Sequence, residues 1–205
     1  TTPLIVASSH GRVDAVDRLI AAGAEVNAKS DDGWTPLFTA ASGGHSEVVD
    51  RLLAARAAIN AAAKNGATPL YMAAQKGHVA VMDRLMAAGA DVESKYQDGT
   101  TPLIVASSHG RVDAVDRLIA AGAEVNAKSD DGWTPLFTAA SGGHSEVVDR
   151  LLAARAAINA AAKNGATPLY MAAQKGHVAV MDRLMAAGAD VESKYQDGTT
   201  PLIVA

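Results

Sequence analysis

In the stretch "SEVVDRLLAA", Ser46 to Ala55, the apolar residues Val48, Val49, Leu52 and Leu53 fall at helical spacing. Glu47 and Arg51 stand four apart on the polar side, where they can pair. The pattern predicts an amphipathic helix with one face turned to a core. Just upstream, "PLFTAASG" predicts a shorter helix. Thr35 is its N-cap, Pro36 takes the first helical position, where no amide hydrogen is needed, and Gly43-Gly44 ends it. Downstream, "AINAAAKNGA" has no helical period and carries the turn signal Asn65-Gly66. The unit reads as turn, helix, short break, helix, extended loop.

This unit recurs along the whole chain. All prolines sit in Thr-Pro-Leu, at Pro3, Pro36, Pro69, Pro102, Pro135, Pro168 and Pro201, a constant spacing of 33. A longer period lies on top of it: residues 100–198 repeat residues 1–99 letter for letter, and "TTPLIVA", Thr199 to Ala205, begins a third copy. Two helices of this size cannot bury their apolar faces alone, so neighbouring units must stack. The expected architecture is an all-α repeat solenoid over 1–205, made of identical blocks 1–99 and 100–198 of three repeats each, with 199–205 as a partial repeat.

The 33-residue period, "DGWTPLFTAASGGHSEVVDRLLAA" and "NGATPLYMAAQKGHVAVMDRLMAAGADVE" resemble the ankyrin repeat, over essentially the whole chain. The resemblance implies L-shaped helix pairs with β-hairpin finger loops. It also implies that the chain binds other proteins through the fingers and first helices, and that it has no catalytic activity. The sequence departs from the family pattern in two ways. Ile5, Phe38 and Tyr71, with Ile104, Phe137 and Tyr170, stand where the family has His after Thr-Pro-Leu, which removes a polar tie between turns and adds packing. Arg56 and Arg155 replace the Gly that ends the second helix at Gly23 and Gly89. A left-handed conformation there costs a non-glycine residue about 1 kcal/mol.

Blocks that are identical, built from units that differ, point to a triple unit that was duplicated, engineered or cut from a longer array. Neither end reads as a polar cap. Leu4, Val6, Leu202 and Ile203 are therefore expected to be partly uncovered at uncapped ends. Such ends carry the alternative function: a structural element that self-associates end to end or forms part of a longer superhelical array.

Composition narrows the remaining classes. The residues are 49% apolar but only 4% aromatic, which suits closely packed helices. The net charge is -4 and no run of Lys or Arg occurs, so nucleic acid is not an expected partner. Absence of cysteine removes thiolate metal sites and thiol nucleophiles. No apolar run approaches the roughly 20 residues that cross a bilayer, and a membrane is not an expected partner. No secretory signal is visible, and the compartment stays open with the cytoplasm as default.

No nucleophile–base pair, phosphate loop or His-Glu-x-x-His motif appears, so no catalytic, cofactor or metal site is expected. His45 and His78 are expected to cap the second helix or its turn. Asp17-Arg18, Asp50-Arg51 and Asp83-Arg84 recur in phase and predict a charge ladder on the outer face. The expected partner is another protein, or further copies of this chain. If the family geometry holds, fingertips and first helices supply the contacts: Lys29, Asp31, Asp32, Trp34, Ser42, Lys64, Asn65, Gln75, Lys76, Tyr96, Gln97, Asp98, Ser108, His10 and His109. Trp34 and Tyr96, repeated as Trp133 and Tyr195, lead this set because exposed aromatics anchor interfaces.

Overall fold

Thr-Pro-Leu starts a helix each time it is described. Thr35 adopts an extended conformation, its side-chain oxygen accepts the Phe38 amide at 3.2 Å, and helix α3, Pro36–Gly43, follows. The same cap opens α1, Pro3–Ser9, and α5, Pro69–Lys76. Glycine then turns the chain. Gly44 and Gly77 are left-handed at φ 75° and 78° and lead into the second helices α4, Ser46–Ala54, and α6, Val79–Ala87. The first repeat supplies α2, Val13–Ala21. The structure is a computed structural model and describes residues 1–193, Tyr195, Thr200 and Pro201.

Two compact units divide the chain, Thr1–Gln97 and Asp98–Ala205, close to the boundary of the 99-residue repeat. The second unit repeats the elements of the first: α7, Pro102–Ser108; α8, Val112–Ala120; α9, Pro135–Gly142; α10, Ser145–Ala153; α11, Pro168–Gln174; and α12, Val178–Ala186. In the first unit each first helix packs on its own second helix and on the next first helix, α1 on α3 and α3 on α5. The second helices stack likewise, α2 on α4 and α4 on α6, and the second unit has the same scheme.

The two helix rows are packed by different means. First helices are buried nearly all round: Pro36, Leu37, Phe38, Thr39, Ala40 and Ala41 are all inaccessible or close to it. Alanines at Ala40, Ala41, Ala73 and Ala74 leave room for this close approach. Ser8 and Ser107 hold the position of Ala41 and Ala74, and their buried hydroxyls have no hydrogen-bond partner among the described residues. Second helices are amphipathic, with Val48, Val49 and Leu52 buried beneath exposed Glu47, Asp50 and Arg51.

Several expectations are corrected. Among the described residues there is no β-strand: the fingers are tight turns rather than β-hairpins. The first two are each closed by one pairing, Ser30 N–H to Trp34 O at 2.9 Å and Ala63 N–H to Ala67 O at 2.9 Å, too short a ladder to form strands. His45 and His78 occupy the N-cap position, but their side chains do not cap. Leu4 is 1% exposed rather than partly uncovered, because α3 and α2 cover it, whereas Val6 is 48% exposed as expected. The expected exposure of Leu202 and Ile203 falls outside the described residues. Arg56 and Arg155 do adopt the left-handed conformation, both at φ 64°.

Candidate functional site

Fingers and first helices are held in register by bonds from one repeat to the next. Lys64 N–H donates to Asp32 O at 3.0 Å, and Gln97 N–H to Asn65 O at 3.0 Å, so successive fingertips are tied through their backbones. At the finger bases, Asn27 Oδ1 accepts the Ala58 amide at 2.7 Å and Asn60 Oδ1 accepts the Asp91 amide at 3.0 Å. Below the fingers, the ring of His45 reaches back one repeat. Its Nε2 donates to Ser9 O at 3.0 Å, and the ring lies so close over Gly11 that a methyl group there would stand 2.6 Å from Nδ1. His78 does the same to Ser42 O and Gly44. Thr39 Oγ1 adds a bond to Ile5 O at 3.3 Å. The frame under the finger surface is therefore rigidly specified.

On this frame lies an open groove of about 410 Å³, lined by Ser9, Trp34, Phe38, Thr39, Ser42, Gly43, Asn65, Met72 and Lys76. Its wall is an aromatic stack: the Trp34 and Phe38 rings lie 5.9 Å apart and 11° from parallel. Phe38 is buried, while Trp34 keeps 41% of its surface exposed. Asn65 is fixed by accepting the Ala67 amide through Oδ1 at 3.1 Å, and its Nδ2 has no partner among the described residues. Lys76 is exposed at the end of α5 and has no ion-pair partner among the described residues. The second unit has the same groove at about 390 Å³, with Trp133, Phe137, Asn164, Met171 and Lys175, and with rings 6.0 Å apart.

Four of the sequence candidates in the first unit, Trp34, Ser42, Asn65 and Lys76, are thus brought together. Others lie apart. Lys29 donates to Ala62 O at 3.4 Å along the finger, while Asp31, Asp32, Lys64, Gln97 and Asp98 are exposed on the finger segments. Gln75 is half-buried outside the groove. His10 and His109 are exposed, and their Nδ1 atoms bond to Val6 O and Val105 O. Tyr96 and Tyr195 are half-buried, stacked on Tyr71 and Tyr170 at 5.3 and 4.9 Å, so both rings take part in packing. Sequence reasoning did not assign Phe38, Thr39 and Met72 to the groove. The signal for Met72 was its register, since it occupies the place of Val6 and Thr39.

The outer face carries the predicted ladder. Arg51 meets Asp17 at 3.6 Å and Arg84 meets Asp50 at 2.8 Å, each pairing with the preceding repeat, and Arg51 also meets Glu47 at 3.5 Å. All of these groups are about half exposed or more accessible than a third, so each pair adds little. No helix among the described residues is long and apolar enough to cross a membrane.

A family model of three ankyrin repeats matches overlapping stretches 4–96, 57–129, 81–162 and 141–205. No curated protein matches the chain significantly. Among solved structures, the ankyrin repeat domain of human ASB11 superposes with a TM-score of 0.94 at 28% identity, covering all of this chain and 92% of that one. The ankyrin repeat domain of Bcl-3, described as a unique member of the IkappaB protein family, gives 0.86 at 29% identity, covering all of this chain and 94% of that one.

Proposed function

Because the chain belongs to the ankyrin-repeat family, whose domains are generally non-enzymatic protein-interaction modules, we propose that it holds another protein on the surface formed by its fingers and first helices, with Trp34 and Trp133 as anchors. The observation that carries this reading is the exposed stacked tryptophan beside a groove. A large aromatic ring at 41% exposure, supported from beneath by a buried phenylalanine, is rigid before any partner arrives. Little conformational entropy is then lost on binding, which is the circumstance in which an interface residue contributes most. The surrounding fingers are tied by backbone bonds, so the surface changes little in shape when occupied.

The outer face does not offer the same. There Asp17, Glu47, Asp50, Arg51 and Arg84 are already paired with one another, and a partner would have to displace those pairs.

The test is a comparison of partner capture and affinity between the chain and its Trp34→Ala/Trp133→Ala variant. Loss of each anchor is expected to weaken binding by about 2 kcal/mol while the helical circular dichroism is retained. Unchanged affinity in a folded variant would remove the tryptophans from the contact surface.

A further inference from the structure

The two grooves have a chemistry of their own. Both combine an apolar wall and floor, Trp34, Phe38 and Met72 in the first, with hydrogen-bond donors that the protein leaves unused. Among the described residues, the Asn65 Nδ2, the Lys76 ammonium and the Trp34 indole N–H donate to no partner. No carboxylate lines the groove, and Lys76 is its one charged side chain. In the second unit Trp133, Asn164 and Lys175 reproduce this balance. An occupant that satisfies such a surface brings bulky apolar atoms for the stacked wall and a carboxylate for the ammonium and amide donors.

We propose that each groove is a self-contained site for a short polypeptide segment carrying a large apolar or aromatic side chain next to an Asp or Glu, and that the chain takes two such segments, one per unit. This rests on the protein-binding reading above and assigns its ligand class and stoichiometry. Each groove is lined entirely from within its own unit, Ser9 to Lys76 and Ser108 to Lys175, so neither needs the other to be complete. The linings are identical in sequence, and the aromatic stacks agree at 5.9 and 6.0 Å and at the same 11° tilt. Equal affinity of the two sites follows. A partner with two such segments, or a dimeric partner, would gain further through effective concentration.

The probe is a displayed library of random nonapeptides, selected on the full chain and in parallel on the Trp34→Ala/Trp133→Ala variant. Peptides enriched on the first and not on the second are expected to share an apolar residue adjacent to Asp or Glu. Trp34 and Trp133 are the only tryptophans, so fluorescence titration with an enriched peptide reads both grooves directly. It should saturate at two peptides per chain, and at one per chain in W34A or W133A. Lys76→Glu with Lys175→Glu, at two exposed positions where folding is not at stake, should weaken binding by about tenfold or more. Enriched peptides that are basic or uncharged, or saturation at one peptide per chain, would overturn the proposal. Peptides that bind the tryptophan-free variant equally well would also overturn it, while leaving protein binding at another surface intact. Absence of any enrichment over a blank support would count against both readings.

Discussion

The repeats of each unit are joined twice, by opposite means. Along the fingers and first helices, the joints are hydrogen bonds aimed at backbone: His45 at Ser9 O, Thr39 at Ile5 O, Asn27 at the Ala58 amide. Along the second helices, the joints are exposed ion pairs between side chains, Arg51 with Asp17 and Arg84 with Asp50. A bond to backbone fixes register whatever the neighbouring side chain is. An ion pair on long exposed side chains is screened and tolerates displacement. The inner row can therefore vary its fingertip side chains without losing its frame, and that is where the free aromatic and the unused donors stand. The outer row commits Asp17, Asp50, Arg51 and Arg84 to one another.

The largest expected effect comes from breaking an inner joint. His45→Ala removes a part-buried bond and the ring that fills the space over Gly11, and leaves the Ser9 carbonyl with nothing in its place. A loss of about 2–3 kcal/mol in denaturant unfolding is expected. A loss below about half a kilocalorie per mole would show that the staple is ornamental. Next in size is a gain. Arg56 sits left-handed at φ 64° while its carbonyl receives Asn27 Nδ2 at 3.5 Å. Arg56→Gly relieves the strain and keeps the backbone acceptor, so stability should rise by about 1 kcal/mol. A fall in the melting temperature would mean that the arginine side chain, and not the backbone, holds this turn. The smallest effect is expected on the outer row. Arg84→Ala should cost about 0.5 kcal/mol, and that cost should shrink in molar salt. A cost matching that of His45→Ala would erase the distinction between the two rows.

The helices, their caps and the stacking faces were legible because each is written in neighbouring residues. Thr before Pro sets the start, Gly the end, and Val48, Val49 and Leu52 the buried stripe. The outer ladder was also legible, since Asp-Arg recurs in phase. The inner joints were not, because their partners are distant: Ser9 lies 36 residues before His45, and Asn27 lies 31 before Ala58. A histidine after a glycine looks like a cap when only its own turn is considered. The clue available was the recurrence of Asn27 and Asn60 at one phase, with Glu93 replacing them in the third repeat. The groove was half legible. Trp34, Asn65 and Lys76 were marked as exposed, but their convergence depends on how far one finger overhangs the next helix, which no local pattern encodes.

The histidines carry one more consequence. A carbonyl oxygen can only accept, so the ring nitrogen that meets it must hold the proton. His45, His78, His144 and His177 meet carbonyls through Nε2, whereas His10 and His109 do so through Nδ1. The imidazoles of this chain thus carry the donating proton on opposite nitrogens, according to their place beside the inter-helix glycine. One residue type, set before the glycine, closes back on its own helix. Set after it, the same residue type reaches the repeat before.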